Sequence, residues 1–130
     1  MMNEEILRMT SKFNRNNDSK NQIIIDEKLK NHIFDYSDFL AYTDGGNGLI
    51  GDNNYLILWR KDDLNDLNSA YEVETFLPNV FLIGSDGGDM AYGIDNEGQY
   101  IQVPFIGMSI DEMLIVSHDF KGFLKYLEES

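Results

Sequence analysis

The sequence predicts an α+β domain, a central and mainly antiparallel sheet flanked by N-terminal and C-terminal helices, and three stretches predict it. Val80 to Pro104, VFLIGSDGGDMAYGIDNEGQYIQVP, divides into three short apolar runs joined by two glycine-rich turns, the pattern of an antiparallel meander. Phe120, Phe123, Leu124 and Leu127 fall at i, i+3, i+4 and i+7, which puts them on one stripe of a terminal helix. Tyr36, Phe39 and Leu40 repeat that spacing within Asp35 to Thr43, so a second amphipathic helix precedes the sheet.

Within the meander, Val80 to Ile83 is apolar and partly β-branched, suited to burial on both faces. Gly84-Ser85-Asp86-Gly87-Gly88 is expected to supply the positive-φ positions of the first reversal. Met90 to Ile94 and Tyr100 to Val103 flank the hairpin turn Asp95-Asn96-Glu97-Gly98, with Gly98 suited to the left-handed position. Pro104 has no N–H to donate, so the third strand ends or lies at an edge there.

Taken from the start, Met2 to Phe13 carries Ile6, Leu7, Met9 and Phe13 in a loose helical pattern, and Asn14 to Asn21 reads as a polar loop. Ile23, Ile24 and Ile25 lead into Asp26, an N-cap for a helix to about His32 with Leu29 and Ile33 facing inward. Asp44-Gly45-Gly46-Asn47-Gly48 stops the helix of residues 35–43, a glycine taking the left-handed position. Leu49 to Asp52 reads as a short strand before a turn at Asn53-Asn54. Tyr55 to Trp59 is the most apolar strand candidate, with the Trp59 indole in the core or at its margin. Asp62 and Asp63 stand near the start of a helix over Arg60 to Asn68, where carboxylates complement the helix dipole, and Leu64 and Leu67 dock it. Ala70 to Leu77 is ambiguous up to Pro78, and Ile110 to Val116 suits a short helix or a strand. Ser117 is the expected cap of the last helix.

A chain of 130 residues without an internal repeat or a break in composition reads as one domain, long enough to bury a core. It has no cysteine, which excludes a disulfide scaffold, a thiolate zinc site and a cysteine nucleophile. No apolar run is long enough to span a bilayer, and Met1 to Thr10 carries Glu4 and Glu5 where a signal peptide is basic and then apolar. A cytoplasmic protein is expected.

Charge is the most informative bulk property. The net charge is −13, and it is unevenly placed: residues 62–130 hold 14 acids against Lys121 and Lys125 alone, a net −12. Between Lys61 and Lys121 there is no basic side chain. A field of that sign repels phosphate backbones and anionic lipid, so neither nucleic acid nor a membrane is an expected partner. What remains open is an acidic surface with no partner or one that attracts a basic protein.

No motif forms a catalytic or metal site. Ser117-His118-Asp119 holds the residue types of a nucleophilic triad, but neighbours on one helical turn point about 100° apart and cannot converge. His32 has no partner at metal-ligand spacing. Gly84 to Asp89 lacks the Lys-Ser/Thr and the following helix of a phosphate loop. Asp44 to Gly48 and Asp86 to Asp89 lack the ligand spacing of a calcium loop and read as turns. No cofactor is implied. Tyr42, Tyr55, Tyr71, Tyr92 and Tyr100 are candidate interface anchors, although alternation along strands buries about half of such residues.

In chain order, Asp35 to Leu40, Asp44 to Gly48, the Tyr55 to Trp59 strand, Phe81 to Gly88 and the Phe120 to Leu127 helix resemble the SUKH superfamily. The resemblance covers roughly residues 24–128. That family groups fungal cell-wall assembly regulators with bacterial proteins regarded as immunity partners of polymorphic or contact-dependent toxins. It implies a non-enzymatic binding module that, in the immunity members, occludes or distorts the active site of a cognate toxin. A nuclease toxin is basic where it meets nucleic acid, so an acidic inhibitor can compete for that surface. The partner-binding face expected here draws on Asp62, Asp63, Asp66, Glu72, Glu74, Asp86, Asp89, Asp95 and Glu97. Two other readings stand beside it, a regulatory scaffold for an endogenous protein and a hydrolase using paired carboxylates.

Overall fold

The computed structural model describes residues 2–16, 35–52 and 54–130. Along these run α1 (Met2–Met9), β1 (Phe13–Arg15), α2 (Tyr36–Thr43), β2 (Gly46–Ile50) and β3 (Asn54–Leu58). A 3-10 turn (Lys61–Asp63), α3 (Leu64–Ala70) and α4 (Val73–Phe76) follow. Then come β4 (Val80–Ser85), β5 (Met90–Asp95), β6 (Tyr100–Pro104), β7 (Leu114–Ser117) and α5 (Phe120–Glu129). The seven strands form one sheet in sequence order, each antiparallel to the next. The expected α+β class holds, and the three-strand meander is the centre of a longer one. The predicted helix from Asp26 to about His32, with Ile23 to Ile25 before it and Leu29 and Ile33 in it, lies outside the described residues.

Alternation along the strands sends neighbouring side chains to opposite faces: Ile83, Tyr92 and Tyr100 to one, Leu82, Ala91 and Ile101 to the other. On the first face, Ile6 and Met9 of α1, Tyr36 and Phe39 of α2 and the four apolar residues of α5 seal the sheet. Phe39 packs on Phe120 with ring centroids 5.3 Å apart, and Phe123 lies 5.2 Å from Tyr92 and 5.3 Å from Tyr100. Each such pair adds about 0.5–1.5 kcal/mol beyond its burial. The second face is covered by less. Val73 of α4, Leu77 and Met108 lie over Leu82, Ala91, Ile101 and Val103.

Between β3 and β4 the sheet nearly parts, pairing only Ile57 with Ser85 and Leu58 with Gly84. The Asn68 side chain on α3 takes the missing strand's place. Its amide nitrogen donates to the Leu82 carbonyl at 2.9 Å, and its oxygen accepts from the Leu82 N–H at 2.8 Å. One amide therefore satisfies two backbone groups and ties the helical layer to the sheet. Gly84 serves the same junction: a Cβ there would collide with the Ile57 carbonyl oxygen.

Several local expectations are corrected. α1 stops at Met9, and Phe13, Asn14 and Arg15 form an edge strand rather than a helix end and a loop. Gly46 and Gly48 are strand residues: β1 crosses so close that a Cβ at either would meet the backbone oxygen of Asn14 or Lys12. β2 therefore begins at Gly46, ahead of Leu49, and Asn54 belongs to β3. Asp44, not a glycine, takes the first left-handed position after α2, at φ 53°. Its carboxylate accepts from the Lys61 N–H at 3.1 Å and pairs with Arg60 at 3.0 Å, which holds that conformation. In the first reversal only Gly87 has positive φ, while Gly98 adopts it as expected. Phe81 is exposed, so the run from Val80 to Ile83 is not buried on both faces. The stretch from Ile110 to Val116 is divided between a 3-10 turn and β7. The last helix is capped by Asp119, which accepts from the Gly122 N–H at 2.7 Å, and Ser117 braces the turn before it.

Candidate functional site

The nine acids proposed as one face are distributed over four places. Asp62 and Asp63 lie in the 3-10 turn and Asp66 in the first turn of α3. Glu72 joins α3 to α4, which contains Glu74. Asp86 and Asp89 belong to the β4–β5 turn, Asp95 and Glu97 to the β5–β6 turn. Successive turns of an antiparallel meander lie at opposite ends of its strands, so Asp86 and Asp89 stand at the other end of β5 from Asp95 and Glu97.

Two open grooves result on the lightly covered side. One, of about 760 Å³, brings together Glu72, Glu74 and Asp95 among Asn65, Asn68 and Asn79. The other, of about 640 Å³, contains Asp89 alone of the nine, set among Ile57, Trp59, Tyr71, Phe105 and Ile106. Two of the acids also have local duties. Asp86 closes its turn by accepting from the N–H groups of Gly88 at 2.8 Å and Met90 at 3.2 Å. Asp95 does the same for Glu97 and Gln99, both at 2.9 Å. Each thereby shapes the backbone around it.

No ion pair among the described residues engages any of the nine. The cations that do pair, Arg8 with Glu128, Lys12 with Asp52, Arg60 with Asp44 and Lys121 with Glu5, serve other acids. Those pairs leave their mark on titration: Lys121, its ammonium 3.3 Å from Glu5 Oε2, holds that carboxyl below the usual range, as Lys12, donating to Asp52 at 2.9 Å, does for that group. Burial raises the phenols of Tyr36, Tyr92 and Tyr100 above the ordinary tyrosine value, so these side chains are neutral core residues at neutral pH.

The feature that reading the sequence for charge misses is aromatic. Trp59 leaves the end of β3 with its N–H donating to the Ile83 carbonyl at 2.9 Å. Tyr71 caps the C-terminus of α3, and Phe105 follows β6, its N–H donating to the Asp89 carbonyl at 2.9 Å. The rings line up: Trp59 is stacked on Tyr71 with centroids 6.1 Å apart, and Tyr71 lies 4.9 Å from Phe105. Trp59 and Phe105 rest on the second core, whereas Tyr71 is 41% exposed and the neighbouring Ile106 91% exposed. Of the five candidate anchor tyrosines, Tyr92 and Tyr100 are buried, Tyr42 is half-buried, and Tyr55 and Tyr71 are exposed. The signal available in the sequence was the apolar pair Phe105-Ile106 placed between a proline and a glycine, an uneconomical place for such residues unless something covers them.

Chemistry of other kinds finds little footing. No three or more His, Cys, Asp or Glu side chains among the described residues are grouped to hold a metal ion, and His32 lies outside them. Ser117, His118 and Asp119 face different partners: Ser117 Oγ donates to the Asp119 carbonyl, His118 Nδ1 lies 3.2 Å from Gln99 Nε2, and the Asp119 carboxylate caps α5. No helix among the described residues is long and apolar enough to cross a membrane. No protein-family model matches the chain, and no curated protein matches its sequence.

Proposed function

We propose that this chain is a non-enzymatic, cytoplasmic protein-binding module that captures a basic partner. Following the SUKH resemblance, that partner is a bacterial toxin domain, in the sharpest form a nuclease, and the chain is its immunity protein. The observation that carries the reading is the strongly acidic balance of residues 62–130, net −12, on the part of the chain that contributes most of both open grooves. Such a field accelerates encounter with a basic surface and disfavours nucleic acid and anionic lipid as competitors.

The test is protection. A toxin-like C-terminal domain, taken from a gene beside this one where such a gene is present, is expressed with and without this chain, and surviving cells are counted. Rescue with co-purification of the two chains is the expected result. Undiminished killing in the presence of well-expressed, folded protein would reject the immunity role and turn attention to an endogenous basic protein as the captured partner. Charge reversal at Glu72, Glu74, Asp89 and Asp95 together is expected to slow association and flatten its salt dependence, read by stopped flow at several ionic strengths. An association rate unaltered by those changes would remove the electrostatic basis of the reading.

A further inference from the structure

We propose that the cleft between Trp59, Tyr71 and Phe105 is the docking pocket for an apolar or aromatic anchor side chain that a partner protein carries between lysines or arginines. This rests on the reading of the chain as a binder of basic protein and names the place and the chemistry of the contact.

Three observations converge on the cleft. The first is its exposed apolar surface. Tyr71 and Ile106 stand open to water beside half-buried Trp59 and Phe105, and Tyr and Trp are the residues that most often dominate binding energy. The second is rigidity. Trp59 stacks on Tyr71, whose ring is tilted against Phe105, Trp59 and Phe105 are seated on the second core, and the Phe105 N–H donates to the Asp89 carbonyl. A pocket already held in shape loses little side-chain freedom when it is filled.

The third is charge. Asp89 lines the cleft with the Gly87-Gly88 backbone beside it. Arg60, the cation next to Trp59 in sequence, is committed to Asp44 at 3.0 Å. An anchor flanked by Lys or Arg therefore meets an apolar floor beside the Asp89 carboxylate, while a second copy of a chain of net charge −13 meets like charge. The larger groove is unlike this. It carries three acids, Glu72, Glu74 and Asp95, but no cluster of aromatic rings, and Asn68 within it is already bonded to β4.

The experiment uses the full chain, labelled with nitrogen-15, and three amidated peptides: Lys-Arg-Trp-Lys-Arg, Lys-Arg-Gly-Lys-Arg and Glu-Asp-Trp-Glu-Asp, each titrated to millimolar concentration at low salt. The tryptophan-bearing basic peptide is expected to shift the amides of Trp59, Tyr71, Asp89 and Phe105, and to bind about tenfold more tightly than the glycine peptide, with the acidic peptide inert. Tyr71→Ser and, separately, Ile106→Gln are expected to weaken it about tenfold while the remaining spectrum is unchanged; Ile106 is so exposed that folding is not at issue. Shifts confined to Glu72, Glu74 and Asp95 would overturn the cleft and leave capture of a basic partner standing. Failure of either basic peptide to bind at any surface would overturn both. Concentration-dependent broadening of the cleft amides without peptide would overturn the proposal in favour of a second copy as occupant.

Discussion

The two faces of the sheet are built to different standards. Helices of 8, 8 and 10 residues close the first face over a continuous cluster that includes Phe39, Phe120 and Phe123, each at most 1% exposed. Helices of 7 and 4 residues and the segment after β6 cover the second, and aromatic rings there reach water. Rings on the first face exclude water from the core and fix α1, α2 and α5, whereas rings on the second are half used, and under the proposed reading the surface left over is where a partner is recognised.

That contrast is broken most forcefully by one aromatic truncation on each side. Phe123→Ala is expected to cost about 3–5 kcal/mol, since it opens a cavity between Tyr92, Tyr100 and Phe120 that rigid neighbours cannot fill. Urea denaturation followed by far-UV circular dichroism measures it. Tyr71→Ser, on the exposed side, is expected to stay within about 0.5 kcal/mol of the parent in the same assay. A cost at Tyr71 comparable to that at Phe123 would mean that the cleft is core, not binding surface.

Between these extremes lies the joint that connects the layers. Asn68→Ala leaves the Leu82 N–H and carbonyl without their partner, and an unsatisfied buried backbone group costs about 1–3 kcal/mol. The expected loss is about 2 kcal/mol, accompanied by faster amide exchange at Leu82. Normal protection of Leu82 in the variant would show that α3 is not held to the sheet by this amide.

The smallest effect concerns the sealed face and pH. Lys121 lowers the folded-state pKa of Glu5 and links α1 to α5. A depressed carboxyl stabilises the fold above its unfolded pKa, and that contribution disappears as pH falls through the folded value. The parent is therefore expected to lose slightly more of its urea midpoint than Glu5→Gln between about pH 5 and about pH 3. Equal losses would remove the ion pair from the account.

The meander and α5 were legible because their signals are local and periodic: Leu82 and Ile83 alternate, and Phe120 to Leu127 keep one helical stripe. β1 and β2 were not, because the cause of their pairing is distant. Gly46 and Gly48 read as a helix stop, yet they are small so that Lys12 and Asn14 can cross them. The cap of α5 was misplaced by two residues because Ser117 and Asp119 both suit the role, and the hydrogen bond to Gly122 decides it. The scatter of the acids was legible in principle, since Asp86 and Asp95 occupy consecutive turns of a predicted meander. The cleft was not: Trp59, Tyr71 and Phe105 come from three separate elements, and only the tertiary fold places them side by side.

The central proposal is that the lightly covered face, through its aromatic cleft and the Asp89 carboxylate in it, is where this chain meets a basic partner. The most direct measurement is survival of cells expressing a candidate toxin domain together with the parent, with Tyr71→Ser/Asp89→Lys, or with Lys12→Ser, an exposed ion-pair change outside the cleft. The account predicts rescue by the parent and by Lys12→Ser, and loss of rescue by the cleft double variant although it remains folded and abundant. Rescue by all three alike would contradict the cleft, and rescue by none would contradict the immunity role itself.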